Sequence, residues 1–497
     1  MMPNASNLAG RSNRIASRRS TPRRYDPVRD FIRDKVGPRG VPSMAVAVFR
    51  DGRIDWEEGF GWADREAGVP ATADTVYSLA SISKPFTATG LMVLAAAGAV
   101  DLDGSVNAYL GEAKLRARIG DAREASVRRV ANHTSGLPFH VQFFYHDGPY
   151  RRPAPAVTSA RYGNLVRRPG AGAAYSNLGY GILGEVIARQ SGETYADFMR
   201  RVVFQPLGLR STSVGLPAAP EQSVAVRYQA DSAPLPYYDT DHPGASEVFA
   251  SAHDLIAFAA FHLKARLPGQ RPILDDAAIE EMHLASSDAG EAAGYGIGFA
   301  VGERSGHRVV SHSGGMPGVA TQMLLIPSEG AAIVVLCNAM ASALVDEVAD
   351  RIAATLLVDW KPEPDAGVFP PRPQEAFAPT ADLAGRWVGH IAVPEGQIPL
   401  VLDLPADGMA TAAVGAQSAV PVEAADFKDG EFGAQAAAML ETADTARYKH
   451  TLYFRLRREE QRLYGGVAAL ADFTDPRFAA GLSFWTDLKR APATKGS

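Results

Sequence analysis

Three short runs in the chain carry side chains able to do covalent chemistry. The first is Ser78-Leu79-Ala80-Ser81-Ile82-Ser83-Lys84-Pro85. A spacing of three residues is nearly one helical turn, so on a helix Lys84 stands over Ser81. A helix start also offers the serine free backbone N–H groups and positive dipole density. A hydroxyl is a weak nucleophile until a neighbour takes its proton, and this spacing supplies it with a cationic neighbour. The second run is Tyr175-Ser176-Asn177, just after Pro169-Gly170-Ala171-Gly172. A phenol titrates near ~10, so it works as a base near neutrality only where cations favour the phenolate. The third is His312-Ser313-Gly314-Gly315. Glycine lets a substrate backbone lie against the chain, and an N–H there can face a developing oxyanion. Taken singly, an N-cap serine, a turn asparagine and a glycine hairpin explain these runs equally well.

The elements that must position them are legible from pattern. Phe86, Thr87, Ala88, Leu91, Val93 and Leu94 continue the first run as a helix from Ile82 to Ala97, closed by Gly98, with Pro85 tolerated in its first turn. Further helices are expected over Gly179 to Ser191 and Ala252 to Leu263. Met44 to Arg50, Asp51-Gly52 and Arg53 to Trp56 read as a β-hairpin. Ala320 to Ile326, the turn Pro327-Ser328-Glu329-Gly330 and Ala332 to Cys337 read as a second strand pair. Strands at both ends with helices between predict one sheet built from both ends of the region, with a helical insertion. Six prolines between Lys361 and Thr380 make that stretch an extended spacer. Beyond it Ile398, Leu400, Leu402 and Leu404 alternate, as do Leu452, Phe454 and Leu456, while Leu482, Phe484 and Leu488 share one parity. Period-two alternation broken by turns predicts a small antiparallel barrel or sandwich.

Composition bounds the function. With 497 residues, 46% hydrophobic and 21% charged, the chain can bury a large core and a closed site. A net charge of −5 argues against a nucleic-acid footprint. No run approaches the ~18 apolar residues of a membrane helix. The single Cys337 lies in an apolar run, reads as a small buried residue, and leaves no thiolate metal cluster. Charge is uneven: residues 1–25 hold six arginines and no acid, and without them the rest of the chain goes from −5 to −11. Tyr25 to Asp30 is not the apolar segment that a secretion signal requires, so a disordered basic arm and a cytoplasmic location are the expectations.

In this order and spacing, Ser81-x-x-Lys84, Tyr175-x-Asn177 and His312-x-Gly314 resemble the three motifs of the serine β-lactamase and penicillin-binding-protein superfamily, in its class C-like branch. His133-Thr134-Ser135-Gly136-Leu137-Pro138, Gly179 to Glu185, Pro206-Leu207-Gly208-Leu209 with Thr212, and Tyr295-Gly296-Ile297-Gly298 match as well, so the resemblance covers about residues 27 to 345. Leu383-Ala384-Gly385-Arg386-Trp387 is similar to the strand-opening Gly-x-Trp of lipocalin-like barrels. The resemblance implies a mixed α/β, β-lactamase/transpeptidase-like domain over residues 26–360. A spacer would follow over 361–380, then a lipocalin-like antiparallel barrel over 381–497.

It also implies roles. Ser81 would be the acylated nucleophile, with Lys84 keeping the Ser81–Tyr175 network polarised and Tyr175 acting as base and then acid. The backbone N–H groups of Ser81 and Gly315 would form the oxyanion hole. Asn177, His312, Ser313, Gly314 and His140 would contact substrate, and no metal or cofactor would be needed. His140 is equally well a structural loop histidine. Classical β-lactamases of this branch carry lysine where His312 stands, and a histidine titrating near ~6.5 is only partly charged at neutrality. That departure resembles D-peptidases, D-aminopeptidases and esterases, and with the barrel it implies short substrates. In such proteins the barrel restricts the cleft or joins subunits, which admits a homo-oligomer. The reading is a serine hydrolase of short amides or esters; its rivals are a true class C-like β-lactamase and a catalytically idle scaffold or sensor.

Overall fold

A computed structural model describes residues 22–37, 40–217, 223–229, 233–286, 294–362, 379–471 and 480–492. Continuous apolar runs build its central sheet, because strands covered on both faces need apolar side chains on both parities. Met44, Val46 and Val48 enter one core, and Ala45, Ala47 and Phe49 enter the other. Val46 pairs with Val335, so strands from the two ends of the region lie side by side, as their patterns predict. The seven antiparallel strands run in the order Ala300–Arg304, His307–Met316, Val319–Ile326, Ala331–Cys337, Ser43–Arg50, Arg53–Asp64, Val69–Pro70. The expected hairpin closes at Arg50 and Arg53, with Asp51 at φ 53° and Gly52 at φ 73°. Two consecutive left-handed residues match the twist of a tight hairpin.

Helices Asp26–Lys35 and Ser342–Leu356 cover one face of the sheet, while Ser83–Ala96 and Ala252–His262 pack on the other. Cys337 is buried, and that burial pushes its thiol up to about 12, so it stays an inert thiol. Arg23–Tyr25, which composition assigns to the basic arm, instead form a 3-10 turn of the folded unit. Tyr25 is fully buried, stacks on Trp56 with ring centroids 4.7 Å apart, and donates to Asp55 at 2.7 Å. The apolar face of that ring outweighs the charge of its neighbours. The remainder of the expected arm, residues 1–21, and most of the proline-rich stretch, residues 363–378, lie outside the described residues.

Eight antiparallel strands between Gly385 and Arg490 close into a barrel, the last (Ala480–Arg490) pairing with both Arg462–Ala471 and Gly385–Val393. Leu400, Leu402, Leu404, Leu452, Phe454, Leu456, Leu482, Phe484 and Leu488 all point inward, as their alternation requires. Trp387 is fully buried and donates its indole N–H to Leu383 O at 2.9 Å. The barrel interior is thus packed with its own side chains.

The barrel is stitched to the first domain by backbone. Ala480 and Gly481 pair with Gln142 and Val141, extending the barrel sheet into the Val141–Tyr145 strand and then Tyr238–Thr240. Ser483 Oγ donates to Phe139 O at 2.7 Å, Arg161 pairs with Asp444 at 3.0 Å, and Arg167 pairs with Glu431 at 2.7 Å. Among the described residues no helix is long and apolar enough to cross a membrane.

Candidate active site

Ser81 lies in a 3-10 turn, Ala80–Ile82, that runs directly into the Ser83–Ala96 helix. The serine therefore precedes the α-helix rather than opening it. Ala80 takes φ 48°, a left-handed conformation that costs energy for a residue with a Cβ. The surroundings hold it there. Thr321 Oγ1 donates to Leu79 O at 2.9 Å, while Ser83 Oγ donates to Ala80 O at 2.7 Å and accepts Val248 N–H at 2.8 Å. Gly314 presses on the same turn: a Cβ there would fall 2.3 Å from Thr321 Oγ1 and 2.4 Å from Leu79 O. Gly314→Ala must therefore shift the strand or the turn. Since a misplacement near 1 Å costs on the order of 10²-fold, we expect any turnover that depends on Ser81 to fall by about that factor while the protein stays folded.

Lys84 is completely buried, with Nζ 2.9 Å from Ser81 Oγ and donating to Ala245 O at 3.2 Å. It lies 4.8 Å from the Tyr175 ring centroid and 5.8 Å from that of Tyr180, and no carboxylate pairs with it among the described residues. Burial without a counter-ion pushes its amine well below the usual lysine range. The Tyr175 hydroxyl shares a hydrogen bond with Ser81, and burial pushes the phenol upward. Both shifts favour neutral groups, which runs against a lysine cation holding Tyr175 as a phenolate.

His312 is neutral. Its Nδ1 lies 2.6 Å from Ser313 O, which can only accept, so that nitrogen carries the proton and Nε2 accepts the Tyr295 hydroxyl at 2.8 Å. Burial first, then the nearness of Lys84, drives the ring down to about 3. The partial charge expected of a histidine at this place is absent.

The His307–Met316 strand pairs with Ala300–Arg304 only as far as Ser311. From His312 onward its outer edge carries no strand among the described residues, and Ser313 and Gly315 are exposed there. Such an edge can take an extended substrate. Asn177 opens the Asn177–Ser191 helix, capped by Ser176 Oγ on Gly179 N–H at 3.1 Å. Its Nδ2 donates to His140 O at 3.0 Å, while its buried Oδ1 has no partner.

His140 itself does not face the cleft. It is 1% exposed, and its Nε2 bonds Asp241 at 2.9 Å. Asp241 also accepts from His242 Nδ1 at 2.8 Å and from Thr158 at 3.4 Å. Gln142 donates to it at 3.3 Å while accepting from barrel residue Arg447 at 3.1 Å. One ligand atom from each of His140, Asp241 and His242 lies within 4.8 Å of the others, close enough for a metal. Yet His140 Nδ1 and His242 Nε2 lack the partners that orient metal-bound imidazoles; the set is a carboxylate solvated by two histidines. Asp241 and His242 escaped sequence reading because no motif surrounds them. A surface concavity of about 380 Å³ lined by Glu112, Arg116, Arg161, Arg189 and Pro394 shares no residue with the Ser81 cluster.

An antiparallel sheet flanked by helices, with Ser81, Lys84 and Tyr175 joined at its edge, defines a β-lactamase-like domain, here carrying a closed barrel. The chain belongs to the beta-lactamase family, whose model matches residues 28–357. It is similar to penicillin-binding protein 4* of Bacillus subtilis (strain 168), 26% identical over 395 residues, covering 73% of this chain and 82% of that one. It is also similar to a D-aminopeptidase of Gluconobacter oxydans (strain 621H), 25% identical over 335 residues, covering 65% and 60%. Among solved structures, that of SurE superposes with a TM-score of 0.64 at 22% identity, covering 94% of this chain and 99% of the other, which shows a shared fold.

Proposed function

We propose that this protein is a serine hydrolase working through an acyl-enzyme on short amides or esters, with D-amino-acid peptides and amides foremost. The observation that carries this is Ser81 Oγ placed 2.9 Å from a fully buried lysine amine with which no carboxylate pairs among the described residues. Lys84 Nζ takes the Ser81 proton as Oγ attacks the substrate carbonyl. Tyr175 passes a proton to the departing nitrogen or oxygen. Backbone N–H groups of Ser81 and Gly315 hold the oxyanion, each worth roughly 3 kcal/mol in the transition state. Asn177 Oδ1 accepts a substrate amide N–H, and Ser313 and Gly314 present the strand edge along which the acyl portion lies. Water then releases the acid from Ser81 while Lys84 and Tyr175 return the proton.

A neutral His312 offers no permanent cation to the carboxylate of a penicillin or cephalosporin. That favours peptides and esters over a β-lactamase activity, in keeping with the D-aminopeptidase relative, although a β-lactamase is among the relatives too. The test is covalent. Intact-mass measurement should find one fluorophosphonate adduct, mapping to Ser81 and absent from Ser81→Ala. The same pair of proteins should separate on D- and L-aminoacyl anilides, short nitrophenyl esters and a chromogenic cephalosporin. Neither adduct nor turnover would sink the hydrolase reading in favour of a scaffold.

A further inference from the structure

The motif His133-Thr134-Ser135-Gly136 plays no part in the chemistry above, yet its histidine lies against the site. His133 is 3% exposed and takes φ 64°, in the left-handed region where asparagine, aspartate and histidine are the usual side-chain-bearing residues. That conformation turns both its carbonyl and its ring toward one short segment. Its carbonyl accepts Ala174 N–H at 2.8 Å, and its Nδ1 accepts Ser176 N–H at 3.2 Å. The two contacts bracket Tyr175 from either side. The imidazole also packs on the Tyr175 ring, centroids 4.5 Å apart at 42°, and is backed by Tyr295 at 4.5 Å and Tyr180 at 5.4 Å.

We propose that His133 is the positioning residue of Tyr175, fixing its backbone through the Ser176 N–H and its ring through the tilted imidazole packed against it. This rests on the reading of Tyr175 as the proton shuttle. An imidazole that accepts at Nδ1 must keep its proton on Nε2, and that nitrogen is buried without a partner. The ring is therefore held by one acceptor contact and by packing. An asparagine can reproduce the acceptor, because its Oδ1 reaches nearly the same point as Nδ1 and it tolerates the left-handed conformation. Phenylalanine reproduces the ring and not the acceptor.

The test compares His133→Asn, His133→Phe and Tyr175→Phe for kcat, KM and thermal melting. A shuttle moved by a fraction of an ångström slows proton transfer and leaves substrate binding alone. His133→Phe should thus lose about 10-fold or more in kcat with KM within about twofold, and His133→Asn should recover to within about threefold of the parent. If His133→Phe does not fold, His133→Gly accepts the positive φ and carries the same comparison. Parental kcat in a folded His133→Phe, or His133→Asn falling as far as His133→Phe, overturns the assignment. Full activity in Tyr175→Phe would instead remove the shuttle reading beneath it, an outcome distinct from either.

Discussion

Replacing Lys84 with methionine should abolish turnover and raise the melting temperature together. The amine is fully buried, faces the edge of no carboxylate among the described residues, and is pushed well below the lysine range by that burial. The unfolded chain, titrating near ~10.4, therefore binds a proton that the native state resists. Where the unfolded state holds more protons, stability rises with pH. Lys84 thus costs stability at neutral pH, and the cost fades as pH climbs toward the unfolded value. Methionine has similar reach and no charge to desolvate, so it removes the cost and flattens that dependence. In a chain of this size each kcal/mol regained is worth about 1 °C in Tm. Activity goes the other way: losing a positioned base costs about 10²- to 10⁴-fold. Calorimetry across pH 6 to about 10 with a matched assay reads both. A Lys84→Met protein that is less stable than its parent would show that the native state holds the cation after all.

The same buried amine orders the pH–rate profile. If Lys84 is the base, kcat/KM climbs as the amine loses its proton and falls on the acid side, with the limb displaced below the ordinary lysine range by desolvation. His312 contributes no step near neutrality, since burial holds it down at about 3. These two groups show where sequence reasoning stopped. Ser81, Lys84, Tyr175, Asn177 and the His312–Gly315 run stood out only as a set that resembles the motifs of one superfamily, since a cap, a turn and a hairpin explain each run alone. Protonation states were not legible. They depend on how much water reaches Lys84 and on Tyr295 donating to His312 across 17 positions of chain. The strand character of His312 to Met316 was also hidden, since its two glycines read as a turn. Gly314 is there because a Cβ has no room against Leu79 and Thr321, whereas one at Gly315 would meet only Ser342 Oγ at 3.7 Å. The barrel, by contrast, was written in plain alternation, from Leu400-x-Leu402-x-Leu404 to Leu452-x-Phe454-x-Leu456.

The contact between barrel and site had no sequence signal at all, and Asp241→Ala is the substitution that exposes it. Asp241 is 2% exposed and accepts from His140, His242, Thr158 and Gln142, the last of which is held by Arg447 of the barrel. Removing the carboxylate strands two buried imidazole donors and leaves a gap where the Val141–Tyr145 strand meets the barrel edge. Deleting one partner of a buried charged set costs about 3–5 kcal/mol, enough to lower Tm by several degrees. The histidines hold this carboxyl well below the usual range against the opposing pull of desolvation. Its contribution is therefore complete above the unfolded value near ~3.9 and is lost as pH falls through the lower folded one. Parent and variant should differ fully at neutral pH and begin to converge only below about pH 4. Function should follow through Asn177, whose Nδ2 rests on the carbonyl of His140. When His140 loses Asp241 that carbonyl is free to move, so KM for amide substrates should rise more than KM for esters, which offer no amide N–H to Asn177. A folded Asp241→Ala protein with unchanged KM ratios would separate the histidine cluster from substrate binding and leave it a purely structural joint.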